Sequence, residues 1–136
     1  MTYVLDTSAF SAAMRNEPEI VAFLGKLNPG NIKIVPPVVA EIEYGIARFP
    51  SASKKYLLLS AQKERLMKLI KVLPWIPESS VYFGKIKAEL ENTGRLIDDF
   101  DIAIAAIAIS HSVSVITANL SHFKRIDGLS CHHWIE

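Results

Sequence analysis

Cysteine is nearly absent from this sequence. The one residue, Cys131, rules out an intrachain disulfide framework and suits a reducing compartment. It has no second cysteine with which to build a zinc site, so its expected role is that of a small buried hydrophobe. Long apolar runs are missing as well. The stretch over residues 102–109 falls far short of the ~20 residues that a membrane span requires. No basic segment leads into a long apolar one near the start, so no signal peptide is expected. Excess charge of one sign is also lacking: 15 basic against 14 acidic residues leave a net charge of +1. Any basic surface must therefore be local. We find no internal repeat, low-complexity segment or linker. What remains is 136 residues, half of them hydrophobic. That composition predicts a soluble cytoplasmic protein with one domain over residues 1–136.

Strand and helix signals alternate along the chain. Residues 2–5 read as a strand, and Asp6, Thr7 or Ser8 can cap the helical stretch that follows. A second short helix is expected over Glu19 to Lys26, after Pro18. The turn Asn28-Pro29-Gly30-Asn31 precedes a strand over Ile32 to Val35, which Pro36-Pro37 stops before a helix over Val38 to Arg48. Residues 52–71 predict an amphipathic helix with Tyr56, Leu59, Leu66, Leu69 and Ile70 on its apolar side. A short strand at Val72-Leu73 ends at Pro74, and Ser79 or Ser80 is expected to cap a helix to about Asn92, closed by Thr93-Gly94. Residues 101–111 are apolar on nearly every helical face, as in a fully buried helix. Strands are expected over Val113 to Thr117 and near Cys131 to Trp134. The alternation predicts an α/β sandwich around a parallel sheet.

The acids fall at particular places in that order. Asp6 ends the first strand, where open parallel sheets collect their ligands. Glu41 lies on the helix after the second strand, with Gly45 on the same face. Glu43 is turned roughly 200° away from Glu41, at ~100° per residue, and is expected to face solvent. Asp98, Asp99 and Asp101 precede the apolar helix. Taken alone, Asp6 fits a helix cap, Glu41 a solvated helix residue, and the aspartate cluster a capping and dipole-compensating group. Three acids exceed what capping needs. Gathered together, these carboxylates would repel one another unless a cation stood among them. Magnesium and manganese accept such oxygen ligands, and a bound ion can activate water and neutralise a phosphodiester.

Four segments in this order resemble the PIN-domain family, and within it the VapC-type toxin ribonucleases. They are Val4-Leu5-Asp6-Thr7-Ser8, Pro37-Val38-Val39-Ala40-Glu41-Ile42-Glu43-Tyr44-Gly45, Ile97 through Ala106, and Val115-Ile116-Thr117-Ala118-Asn119 with His122-Phe123. The resemblance spans essentially the whole chain. It implies a three-layer α/β/α sandwich on a mainly parallel sheet of four to five strands. It also implies an endoribonuclease using Mg²⁺ or Mn²⁺, with Asp6, Glu41 and Asp101 as catalytic acids. The metal ligands would be Asp6, Asp101, Glu41 and Asp99, supported by Thr7, Ser8, Asp98, Thr117 and Asn119. It further implies RNA as substrate, a cognate antitoxin protein that alone contacts DNA, and a homodimer.

One position departs from the family. Many members carry a fourth acid shortly after the threonine that ends the fourth strand, where this chain has Asn119. An amide removes a negative charge, so a single held ion is expected rather than two. Local basic surface is expected from Lys54, Lys55, Lys63, Arg65, Lys68 and Lys71, with Lys85, Lys87, Lys124 and Arg125 flanking a groove. His111, His122, His132 and His133 match no structural zinc spacing, and a hard-cation site does not require them. His122 is at most a supporting residue near Asn119. Two other readings compete: a PIN-like module that binds RNA or protein without cutting it, favoured by Asn119, and a response-regulator-like signalling domain. The second needs a phosphoacceptor Asp on a central strand and a late lysine, neither of which is evident.

Overall fold

The structure is a computed structural model describing residues 1–135; Glu136, the last residue of the expected domain, lies outside the described residues. Its strands are β1 (Tyr3–Leu5), β2 (Ile32–Ile34), β3 (Lys71–Val72), β4 (Ser114–Ile116) and β5 (Cys131–His132). The helices are α1 (Thr7–Met14), α2 (Pro18–Gly25), α3 (Pro36–Ala47), α4 (Lys54–Met67), α5 (Pro77–Asn92), α6 (Asp99–Ser110) and α7 (Leu120–Phe123). The five strands form one sheet in the order β3-β2-β1-β4-β5, with every pairing parallel.

That order explains the layers. From β1 the chain steps outward to β2 and β3, then returns past β1 to β4 and β5. Right-handed crossovers put the connecting helices of the two excursions on opposite faces of the sheet. The packing agrees, since α1, α3 and α4 touch one another while α5 packs along α6. The fold is the α/β/α sandwich expected, with five strands and no antiparallel member among the described residues. The winding reverses between β1 and β4, so their C-terminal ends open a crevice at a topological switch point.

Local chemistry sets the element boundaries. Pro36 and Pro37 do not delay α3 as expected; they form its first turn, where a missing N–H costs nothing. Ser79 does not cap α5. It lies inside the first turn, and its hydroxyl accepts from the Ile76 amide at 3.1 Å. The far end of α5 closes as Thr93-Gly94 predicted. Gly94 has φ +67°, and the Arg95 and Gly94 amides donate to Leu90 O and Glu91 O. This is the left-handed glycine termination that a side chain would strain. Helix α4 is shorter than expected because Ser53 caps it, accepting from Tyr56 N at 3.1 Å. Leu69 falls beyond its end and is 67% exposed, not on the apolar face.

Helix α6 is the centre of the core. Every residue from Ile102 to Ala108 is buried. Its alanines keep the helix slim enough for α5 and β4 to approach from different sides, while its isoleucines fill the space between layers. Each fully buried isoleucine contributes roughly 1.5–3 kcal/mol by leaving water. A helix fixed this tightly cannot shift, and it carries Asp101 one turn from its start.

Candidate metal centre

Asp6 follows β1 directly and is 2% exposed. As the N-cap of α1 it accepts at Oδ1 from the Ala9 amide at 2.9 Å and from the Ser8 hydroxyl at 2.6 Å. Its other oxygen, Oδ2, accepts from the Thr117 hydroxyl at 2.5 Å, across from the end of β4. Thr117 Oγ1 in turn accepts from Asn119 N at 2.8 Å, and the Ala118 amide donates to Ser8 Oγ at 3.0 Å. The loops after β1 and β4 are thus laced together around one carboxylate. Asp6 is both the cap expected of it and a buried acid facing the crevice. Burial pushes its carboxyl above the ordinary value of 3.8, against the hydrogen bonds from Ser8, Thr117 and Ala9 that favour the anion.

Glu41 reaches the same end of the sheet from α3. Its Oε1 accepts from the Thr7 hydroxyl at 2.5 Å. Glu43 points away and pairs with Lys63 at 2.9 Å, as the helical spacing predicted. Asp101 has a side chain 19% exposed and a carboxyl pushed up to about 6. Burial is the first cause. The negative charges of Asp6, Asp98 and Glu41 follow in that order, partly offset by His122. Carboxylates from residues 6, 41, 98 and 101 therefore share one electrostatic neighbourhood.

The chemistry of this donor set fits a hard divalent cation, because the acids raise one another's proton affinity with no lysine or arginine among the groups acting on Asp101. Among the described residues, no three His, Cys, Asp or Glu side chains already stand in a grip on one ion.

The remaining expected residues sort differently. Asp98 caps α6, accepting from Phe100 N at 2.8 Å. Asp99 was expected as a ligand, but the structure pairs it with Lys87 at 3.1 Å on an exposed surface. Asn119 stands at the head of α7, exposed, and its side chain caps nothing there. Of the basic residues, Lys63, Arg65, Lys87 and Arg125 are engaged structurally. Lys63 pairs with Glu43 and Glu64, and Arg65 donates to the carbonyls of Ala13 and Met14. Arg125 donates to those of Arg95 and Leu96.

A groove of about 540 Å³ reaches Glu41 alone of these acids, with Thr7 and Glu41 on its wall and Arg15, Arg48 and Lys55 around it. Arg15 and Arg48 were not anticipated. Arg48 had a legible signal, since Glu41, Gly45 and Arg48 fall at i, i+4 and i+7 on one helix face.

A family model described as PIN domain matches residues 3–129. The chain belongs to the PIN-domain family. Ribonuclease VapC2 of Rickettsia felis is 29% identical to this PIN domain, over 98% of each chain. The tRNA(fMet)-specific endonuclease VapC of Shigella flexneri is 28% identical, again over 98% of each. Among solved structures, VapBC2 from Rickettsia felis bound to a DNA fragment from its promoter superposes with a TM-score of 0.88 at 28% identity, covering 98% of this chain and 99% of that one.

Proposed function

We propose that this PIN domain is a metal-dependent endoribonuclease acting as the toxin of a VapBC-type toxin–antitoxin module. The observation that carries the reading is the convergence at the switch point, where buried Asp6 is tied to Thr117 after β4, Thr7 beside it donates to Glu41, and Asp101 enters from the first turn of buried α6. Asp6 and Asp101, with Glu41, would hold one Mg²⁺ or Mn²⁺. A bound cation there would supply charge neutralisation for the scissile phosphate and a more acidic attacking water. The chain's own residues do the rest. Thr117, Ser8 and the Ala9 amide fix Asp6, Thr7 fixes Glu41, and the buried α6 fixes Asp101. Arg48 and Lys55 offer positive charge along the groove that leads to Glu41, while Arg15 on its wall is paired with Glu17, and an RNA backbone could lie there.

Relatives solved as toxin–antitoxin complexes on promoter DNA support a cognate antitoxin as partner, with DNA reached only through it. Pairing into a homodimer and a cytoplasmic location belong to the same proposal. Among the described residues, no helix is long and apolar enough to cross a membrane.

Purified protein incubated with RNA and Mg²⁺ or Mn²⁺ should cleave it, and EDTA should stop the reaction. Initiator tRNA is the first substrate to try, given the name of the Shigella flexneri relative. Asp6→Asn and Asp101→Asn should each lower the rate by about 100-fold or more while leaving the fold intact. Undiminished metal-dependent cleavage by folded Asp6→Asn protein would refute the assignment. No cleavage under any of these conditions, with tight RNA or antitoxin binding, would favour the non-cutting module that Asn119 suggests.

A further inference from the structure

Gly45 has no use inside the fold. It lies within α3, it does not take a positive φ, and a methyl group placed on it would meet nothing within 4 Å among the described residues. Neither a turn nor tight packing therefore requires it. Glycine destabilises a helix relative to alanine, and the reason that remains is close approach of a ligand to the backbone. Its surface belongs to the groove that reaches Glu41, which sits one turn earlier on the same helix face.

Two side chains frame that bare strip. Tyr44 is 69% exposed and stands outside the apolar floor of the groove, so a partner seated on that floor does not explain it. The Arg48 guanidinium lies 5.8 Å from the centre of the Tyr44 ring and 5.6 Å from that of Phe49. Both rings attract the cation and hold it at the rim. Among the described residues Arg48 forms no ion pair, whereas Arg15 is tied to Glu17 and Lys63 to Glu43. A positioned cation without a counter-charge, beside an aromatic ring open to water, suits an anion that carries a flat ring. A nucleotide is such an anion. Guanidinium groups bind phosphate through paired N–H donors, and an exposed aromatic ring stacks an unpaired base whatever its identity.

We propose that Tyr44, Gly45 and Arg48 seat one unpaired nucleotide of the RNA beside the cleaved bond. Gly45 lets the ribose lie against α3, Arg48 takes a phosphate, and the open face of Tyr44 stacks the base. Arg48 stands about 10 Å along α3 from Glu41, seven residues at ~1.5 Å each, so it serves a phosphate next to the cleaved one rather than the cleaved one itself. The proposal rests on the reading that Asp6, Glu41 and Asp101 mark the site of RNA cleavage.

The test measures binding in EDTA, so that no cleavage intervenes, by fluorescence anisotropy of two labelled strands. One is a dodecamer of uridine, and the other is the same ribose–phosphate backbone without bases. Gly45→Ala should melt at or above the wild-type temperature yet bind oligouridine about tenfold more weakly, opposite signs that a structural role does not produce. Tyr44→Ala should lower affinity for oligouridine about tenfold and leave affinity for the base-free strand within about threefold. Tyr44→Phe keeps the ring and should stay near wild type on both strands. Arg48→Ala should weaken both strands alike, since it loses a phosphate contact. Unchanged oligouridine binding in Gly45→Ala and Tyr44→Ala would overturn the inference and leave this face to a protein partner. A lower melting temperature for Gly45→Ala would overturn it too, by giving the glycine a structural role. Either result leaves the proposed function standing if the wild type cleaves RNA with Mg²⁺ or Mn²⁺. A wild type that cleaves RNA without binding oligouridine overturns the inference alone, and one that does neither overturns both.

Discussion

The Thr117 hydroxyl donates to Asp6 Oδ2, joining the ends of two neighbouring parallel strands that lie 111 residues apart in the chain. Thr117 Oγ1 also accepts from Asn119 N, so one side chain both orients the buried acid and shapes the loop that carries His122. Strand order makes this possible, because β1 and β4 are adjacent only where the winding of the sheet reverses.

Thr117→Val keeps the shape of the side chain and removes the hydroxyl. It leaves Asp6 Oδ2 and the Asn119 amide each short of a partner. Stability should fall by about 1–3 kcal/mol in denaturant melts. Mn²⁺ affinity should fall about 10–100-fold, as when a residue orienting a metal ligand is lost. Thr117→Ser should restore most of both. Wild-type metal affinity in folded Thr117→Val protein would show that this hydrogen bond positions nothing.

Asp101 gives the metal-free protein a pH dependence of defined sign. Its carboxyl is pushed up to about 6 in the fold, against 3.8 ordinarily, so the folded state holds a proton that the unfolded chain has released. The stability it contributes is complete below about pH 3.8 and lost as pH rises through about 6. Melting temperatures in EDTA, compared between wild type and Asp101→Asn from pH 4.5 to 7.5, isolate this contribution. The wild type should lose stability relative to the variant as pH rises, and saturating Mn²⁺ should reverse that loss at pH 7. Parallel curves for the two proteins would exclude the effect.

Much of this was legible in the sequence, for identifiable reasons. A strand ended by an acid, a helix apolar on every face and a Thr-Gly stop are local signals, and β1, α6 and the end of α5 follow them. The acids at positions 6, 41 and 101 were legible as a set through their order and the family likeness. The surroundings of Asp98 and Asp99 were not, because adjacent aspartates differ only in which way the first turn of α6 faces. That turn gives Asp98 to the helix cap and Asp99 to Lys87, a residue whose position depends on how α5 packs along α6. Pro36-Pro37 does end the strand as expected, but α3 starts two residues early because two prolines within a first turn are tolerated. The four-residue α7 is too short to show any periodicity, so the approach of His122 Nδ1 to Asp101 was visible only in three dimensions.

Glu41 and Glu43 provide a matched pair on one helix. Glu41 takes the Thr7 hydroxyl beside the crevice, and Glu43 pairs with Lys63 on the surface. Glu41→Gln should reduce cleavage by about tenfold or more while stability stays near wild type. Glu43→Gln breaks only a surface ion pair and should cost under about 1 kcal/mol with cleavage unchanged. An RNA cleavage assay on both proteins decides it, and equal losses would show that the helix face does not select the acid.

Asp98 and Asp99 separate in the same way. Asp99→Asn removes an exposed partner of Lys87, so metal affinity should stay within about threefold of wild type and stability within about 1 kcal/mol. Asp98→Ala removes the cap of α6 and should cost about 0.5–2 kcal/mol. It also removes one of the negative charges acting on Asp101, so the Asp101 carboxyl should titrate lower than in the wild type. Carboxyl titrations followed by nuclear magnetic resonance, with Mn²⁺ affinities of both variants, test the pair together. A large loss of metal affinity confined to Asp99→Asn would make Asp99 a ligand and displace Lys87 as its partner once the ion is bound.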